Sequence, residues 1–402
     1  METVVSLAFT IIASLVAVPV GVLLIEVVSA ITSPRGSGSA QLGAPGKRRP
    51  RIAILVPAHN ESTKLLPTLR DVAPQLRAGD RVLVVADNCT DDTAAVAAQC
   101  GAEVVERHDI IRLGKGYALD FGLRSLHSDP PEVVIFIDAD CRIGDNALDE
   151  LASTSVAYHG PVQASYLMRA PAGAPMGYQV AEFAWRVKNW LRPLGLRALH
   201  LPCQLMGSGM AFPWNVIRSV NLANDFVVED LKLGLDLASM GYAPLFCPSA
   251  EVTSEFAASA TGARTQRQRW EGGHLGLILT AVPSLLNKAV SARNWRLLAL
   301  ALDLAVPPLS FLALLIVGTF ATTLLYAFLS SSWIAATLSA GSLAAFALAG
   351  GLAWLTCGRD VVPLRALSSI ARYVLVKIGL YRFILSNKSH IKWIRTDRTT
   401  SQ

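Results

Sequence analysis

The chain has 402 residues, 52% of them hydrophobic and only 16% charged, with a formal net charge of +6. That is too apolar for an ordinary soluble enzyme. The basic excess needs no nucleic acid, because a juxtamembrane collar drawn to anionic lipid accounts for it.

The apolar excess is concentrated toward the two ends. Val4 to Ile25 carries no charge and is long enough to cross a bilayer. A cleaved signal peptide would need a basic n-region, and the only early charge is Glu2, so residues 1–33 read as a retained anchor. Residues 34–50, rich in Gly, Ser, Pro and base, read as a basic linker.

From Arg51 to Asp140 the pattern alternates strand and helix. Arg51 to Pro57 is an apolar strand running into Ala58-His59-Asn60-Glu61. Glu61 to Arg77 has helical spacing, with Leu65, Leu69, Val72 and Leu76 on one face. Arg81 to Asp87 is a second strand, and Thr90-Asp91-Asp92-Thr93 caps a helix of small residues. Ala102 to Glu106 is a third strand and Lys115 to Leu126 a third helix. The β-branched run from Glu132 ends in Asp138-Ala139-Asp140, as a buried parallel strand would. The expected fold is therefore α/β, a doubly wound sheet whose 57–61, 87–93 and 138–140 loops line one edge, where open sheets bind ligands. Two carboxylates one residue apart suit a hard divalent cation holding a diphosphate, although a turn aspartate beside a helix cap is the competing account.

Beyond this region Ala181 to Leu196 is basic and aromatic, fit either for a membrane surface or for a core helix with a solvated face. Pro307-Pro308 separates an arm, Trp295 to Val306, from a span over Leu309 to Leu329, and a further span covers Trp333 to Cys357. Residues 295–358 thus read as a membrane region, and 359–402 as a basic tail with a surface helix over Ser368 to Leu385. Basic residues follow the first span (Arg35, Lys47, Arg48, Arg49, Arg51) and the last (Arg359, Arg365, Arg372, Lys377, Arg382), while Ser330-Ser331-Ser332 has none. The positive-inside rule places the amino terminus and Ser331 outside, and the 34–296 region and the tail in the cytoplasm, at the inner membrane of a multi-pass protein. The six cysteines show no paired metal spacing and no disulfide framework.

Several segments together carry a resemblance. Pro57-Ala-His-Asn-Glu61, Asp87-Asn-Cys-Thr-Asp-Asp-Thr93, Gly114-Lys-Gly-Tyr-Ala-Leu119 and Asp138-Ala-Asp140 resemble the nucleotide-sugar half of a GT-A fold, family 2 glycosyltransferase. Gly207-Ser-Gly-Met-Ala-Phe212, Val228-Glu229-Asp230 and Gln266-Arg-Gln-Arg-Trp270 resemble the acceptor half and the signature of membrane polysaccharide synthases of the exopolysaccharide, hyaluronan and cellulose type. The resemblance divides the domain into a donor half at 51–160 and an acceptor and catalytic half at 161–294. Each piece alone is weak; their order is specific.

The resemblance implies roles. Pro57, Glu61, Asp87, Lys115 and Asp138 would bind the nucleotide sugar, with Asp87 accepting from a uracil imino group. Asp140, with Asp138, would hold Mg2+ or Mn2+. Asp230 would be the general base, and Glu229, Gln266, Arg269 and Trp270 would meet acceptor or diphosphate. Each has a plainer account: Asp87 and Glu61 as caps, Lys115 as a solvated lysine, Glu229-Asp230 as acids favoured at a helix start, Arg269 and Trp270 as interfacial anchors. The implied activity is inverting transfer of a hexose from a nucleotide diphosphate, expected to be a UDP-sugar, to a membrane-associated polysaccharide or lipid-linked oligosaccharide. Ala86 stands where relatives often carry an acid, which leaves the base identity open. Transfer to a simple lipid, either polyprenyl phosphate or a sphingolipid-type alcohol, and a non-catalytic membrane scaffold keeping the fold are the alternatives. Three spans are few for a polymer channel, so export would call for a partner subunit, an oligomer or a flippase acting later.

Overall fold

The computed structural model describes residues 2–33, 48–224 and 226–386. Most of the 34–50 linker, Asp225 and the end of the tail lie outside the described residues. The described chain falls into two compact units, one from residues 2–33, 170–201 and 270–386, the other from 48–169 and 202–269.

The second unit is built on one eight-stranded sheet. Its strands are β1 (Ile52–Ala58), β2 (Arg81–Asp87), β3 (Glu103–Arg107), β4 (Val133–Phe136), β5 (Arg142–Ile143), β6 (Val162–Arg169), β7 (Met210–Pro213) and β8 (Leu245–Glu255). They lie in the order β3-β2-β1-β4-β7-β6-β8-β5. The first four are mutually parallel, and β7 then runs antiparallel to β4 and to β6. β1 and β4 are buried on both faces and read as unbroken apolar runs, as central parallel strands must. Leu55, Val85, Leu119, Phe136 and Phe212 join one core across sheet and helix. Gly122 belongs to that helix–sheet contact: a Cβ there would lie 2.4 Å from a Leu55 methyl.

Two consequences place the site. The carboxyl ends of β2, β1 and β4 are neighbours on one edge. Because β7 is antiparallel to β4 and pairs Met210 with Phe136, the segment just before β7 reaches that same edge.

The expected helix over 61–77 is in fact three pieces, a 3-10 turn at Ser62–Leu65, an α-helix at Leu66–Val72 and a second 3-10 turn at Ala73–Gln75. Pro67 and Pro74 each occupy an opening position, where a missing N–H costs nothing, and each starts a new piece.

The other unit is helical. Three of its helices, Glu2–Thr32, Leu309–Ser330 and Ile334–Cys357, are long and apolar enough to cross a membrane. The first continues past Ile25 because Glu26, only 1% exposed, has a partner. Arg192 donates through Nε to Glu26 Oε2 at 2.5 Å and through Nη2 to Asp303 Oδ1 at 2.5 Å. Gly195 lets this helix pair close up, since a Cβ there would fall 1.9 Å from the Glu26 carbonyl oxygen. The basic aromatic segment forms helices Met176–Arg186 and Arg192–Ala198 joined by a π-helical turn at Val187–Leu191. Phe183 and Leu191 are buried with Val20, Leu23 and Leu312, so this segment packs one face against the long apolar helices.

Candidate active site

At the β1 and β2 ends, two loops are knitted together. The N–H groups of Glu61 and Ser62 donate to Thr93 Oγ1 at 2.9 and 2.8 Å, and Ser62 Oγ donates to Asp92 at 2.6 Å. His59 Nδ1 lies 2.6 Å from the Asp87 carbonyl oxygen. Glu61 stands at the cap position of its 3-10 turn without a side-chain cap bond, so the capping account of it finds no support. Pro57 is half-buried in register with Val85.

Asp87 is buried, and burial pushes its pKa up despite the pull of the adjacent guanidinium. Arg107 Nη1 donates to Asp87 Oδ1 at 2.5 Å, and Asn88 Nδ2 donates to the same oxygen at 3.1 Å. The Arg107 guanidinium lies 5.6 Å from the centre of the Tyr117 ring. Sequence reasoning missed Arg107. The usable signal was register: Asp87 and Arg107 close neighbouring parallel strands directly beside each other.

At the β4 end, Lys115, the first residue of the helix Lys115–Ser125, pairs with Asp138 and stands 3.8 Å from Glu229. Its Nζ also donates to the Gly207 carbonyl at 2.7 Å. Burial alone would lower its pKa, but the carboxylates of Asp138, Glu229 and Asp230 outweigh that and hold it above the ordinary lysine value. Gly116 is required beside it, because a Cβ would lie 2.6 Å from the Leu222 carbonyl oxygen. Glu229 and Asp230 open the helix Glu229–Ser239. Burial raises Glu229 to about 7, against the opposing pull of Lys115 and with Asp230 adding to the rise. Gly207 has φ +95, and a Cβ on it would come 3.2 Å from Asp230 Oδ2. Lys115, Asp138, Gly207, Glu229 and Asp230 therefore form one connected group.

Asp138, Asp140 and Cys141 have ligand atoms within 4.8 Å of one another. Cys141 is fully buried, its thiol is pushed well above its ordinary value by burial, and its Sγ is 3.2 Å from Ser208 Oγ. A protonated thiol is a poor ligand for a hard cation, which leaves the two carboxylates as the fitting donors. The turn that aims them is pinned by groups distant in sequence. Thr68 Oγ1 donates to the carbonyls of Ala139 and Cys141 at 2.8 and 2.7 Å, the Asp138 N–H donates to Ser208 Oγ at 3.0 Å, and Ser254 Oγ donates to Asp140 Oδ2 at 3.0 Å. No local motif announces Thr68 or Ser254, and the Gly207–Phe212 segment gives no hint that its Ser208 meets Asp138.

Gln266, Arg269 and Trp270 share the helix Ala260–Thr280. Gln266 is buried, and its Oε1 accepts from the Ala257 N–H at 3.5 Å. Trp270 falls in the helical unit, where its ring centre is 4.8 Å from that of Trp185.

The profile of the glycosyltransferase like family 2 matches residues 50–273. This chain belongs to that family. The family 2 chain is similar to the probable glycosyltransferase YdaM of Bacillus subtilis, 24% identical over 264 residues that cover 58% of this chain and 57% of that protein. It is also similar to glucosyl-3-phosphoglycerate synthase of Mycobacterium tuberculosis, 34% identical over 95 residues, 22% of this chain and 28% of that one. The match thus spans little more than half of the first relative and about a quarter of the second. Among solved structures, the mannosyltransferase PcManGT from Pyrobaculum calidifontis, in complex with GDP-Man and Mn2+, aligns with a TM-score of 0.51 at 19% identity, over 95% of this chain and all of that one. The α/β GT-A, Rossmann-like fold is common to both.

Proposed function

We propose that this family 2 chain is an inverting glycosyltransferase that moves a hexose from a nucleotide diphosphate sugar to a membrane-associated acceptor. The observation that carries the reading is the convergence of Lys115, Asp138, Gly207, Glu229 and Asp230 at the carboxyl edge of the sheet. Such an arrangement puts a positive charge and a metal-fitting carboxylate pair beside a second carboxylate able to take a proton.

In this reading Asp230 accepts the acceptor's hydroxyl proton as that oxygen attacks the anomeric carbon. The bond from the anomeric carbon to the diphosphate oxygen breaks on the opposite face, and the configuration inverts. Lys115 offers its ammonium to the departing diphosphate. Asp138 and Asp140 would hold Mg2+ or Mn2+, which when bound neutralises charge on the leaving group. Glu61 and Asp87 line the nucleoside end, with Asp87 Oδ2 turned to the base. Arg107, engaged on Oδ1, fixes the plane of that carboxylate.

The proposed setting is the inner face of a cytoplasmic membrane. The three long apolar helices and the basic residues beside their ends support it. The proposed acceptor is a growing polysaccharide or a lipid-linked oligosaccharide, with Gln266, Arg269 and Trp270 on its side and export left to a separate subunit. The PcManGT complex contains a guanine nucleotide, so the donor test covers both bases. Purified full-length protein in lipid is offered UDP- and GDP-hexoses with Mn2+, and released nucleoside diphosphate is measured. Release with a UDP-hexose supports the donor chemistry and the uracil assignment of Asp87. Release only with a GDP-hexose overturns the uracil assignment of Asp87, and no release with any donor overturns the activity.

A further inference from the structure

Gln163 lies in β6 with no exposed surface. A buried amide must find hydrogen-bond partners or lose stability. Here they are all backbone groups, and two lie in one short segment. Its Oε1 accepts from the Met206 N–H at 2.7 Å, and its Nε2 donates to the Ser208 carbonyl at 2.9 Å and to the Ala164 carbonyl at 2.9 Å. One side chain thus grips the backbone on both sides of Gly207.

That segment is the strap between the two halves of the catalytic group. On the donor side, the Gly207 carbonyl accepts from Lys115, and Ser208 Oγ accepts from the Asp138 N–H. On the acceptor side, Gly207 abuts the Asp230 carboxylate. The strap enters β7 through Gly209, whose N–H donates to the Phe136 carbonyl at 2.9 Å and whose φ is +68. A Cβ on Gly209 would lie 2.7 Å from the Ala164 Cβ, so the strap is pressed against β6 with little freedom.

We infer that Gln163 is a positioning residue, which sets the spacing between Lys115 and Asp138 on one side and Asp230 on the other by clamping Met206–Ser208. The inference rests on the glycosyltransferase reading for its catalytic consequence. Simple volume filling would be served as well by leucine or methionine. A clamp needs an acceptor at one atom and a donor at the other.

The test uses Gln163→Leu and Gln163→Glu in the full-length protein. Amide hydrogen exchange followed by mass spectrometry reads the strap without reference to activity. Loss of a hydrogen bond worth about 1 kcal/mol should speed exchange over 206–209 by roughly fivefold in Gln163→Leu, with β1 and β2 unchanged as a check on folding. A misplacement approaching ~1 Å should lower kcat by about 10- to 100-fold, with nucleoside diphosphate affinity little altered. Gln163→Glu adds a signature that packing alone would not give. Its ionised carboxylate would face the two carbonyl oxygens, whereas the neutral acid can donate to one of them. Its kcat relative to the native protein should therefore rise as pH falls, while the leucine variant's ratio stays flat.

Unchanged exchange over 206–209 in both variants overturns the clamp, whatever the turnover. Native-like kcat in both variants of an otherwise active enzyme overturns its catalytic consequence. If the native protein transfers no sugar, the activity reading fails by itself, and hydrogen exchange still decides the clamp.

Discussion

Replacing Gly207 by alanine should separate the acceptor side of the site from the donor side. Two effects can be worked out. The backbone at φ +95 is unfavourable for a residue with a Cβ, which costs stability of about 1–3 kcal/mol. The new methyl group would meet Asp230 Oδ2 at 3.2 Å, and the carboxylate would have to give by a few tenths of an ångström. Taking ~10²-fold in rate per ångström of misplacement, linear in free energy, a shift of about 0.3–0.5 Å costs about 0.8–1.4 kcal/mol, or four- to tenfold in kcat. Gly101 supplies the control. It has φ +81 and open space where its Cβ would point, so Gly101→Ala carries backbone strain without touching the site. Steady-state kinetics, nucleotide titration calorimetry and thermal unfolding on both variants give the comparison. Both should lower Tm, and only Gly207→Ala should lower kcat, with nucleotide affinity nearly kept. A kcat within about twofold of native for Gly207→Ala, or a fall equal to that of Gly101→Ala, would refute the placement of Asp230 against the strap.

Other outcomes follow from the same geometry. Asp140→Ala should abolish turnover with little change in Tm, and EDTA should reproduce the loss until Mg2+ or Mn2+ is restored; full turnover in chelator would contradict the metal assignment. Burial raises Glu229 from an ordinary 4.5 to about 7, so between those values the folded protein holds a proton that the unfolded chain has released. Its contribution to stability is therefore present below pH ~4.5 and lost as pH rises through ~7. Tm of the native protein should fall across that window relative to Glu229→Gln, and parallel curves would show that Glu229 titrates normally. For topology, a cysteine placed by Ser331→Cys should react with an impermeant maleimide on intact cells, and labelling only after lysis would reverse the proposed orientation.

The parallel half of the sheet, β1 to β4, was legible because its signals are local. Arg81 to Asp87 reads as a strand and is one, since a short, unbroken, valine-rich apolar run flanked by polar residues has few other homes. The acid pair at Asp138 and Asp140 was legible for the same reason, because each closes a short apolar run. What was not legible depends on contacts across the chain. Arg107 joins Asp87 from a neighbouring strand, and Thr68, Gln163, Ser208 and Ser254 act through bonds to loops 43 or more residues away. Single residues such as Thr68, Gln163 and Ser254 carry no periodicity and no motif, so nothing in the sequence distinguishes them from solvated ones, and the Gly207–Phe212 segment does not name the partner of its Ser208. Glu26 shows the converse. A lone acid just past Ile25 looks like the end of an apolar helix, and the helix goes on because Arg192, 166 positions later, meets that carboxylate.

In the proposed function Asp230 removes the acceptor's proton during sugar transfer. The most direct measurement is the single-turnover rate of hexose transfer by native protein and by Asp230→Asn, at saturating donor and with nucleotide affinity measured alongside. The substitution keeps size and much of the hydrogen bonding but removes the base, and general-base catalysis supplies about 10²–10⁴-fold in rate. Asp230→Asn should lose rate by that order, with donor affinity nearly unchanged. Near-native turnover in Asp230→Asn, or a loss explained by weakened donor binding, would contradict it.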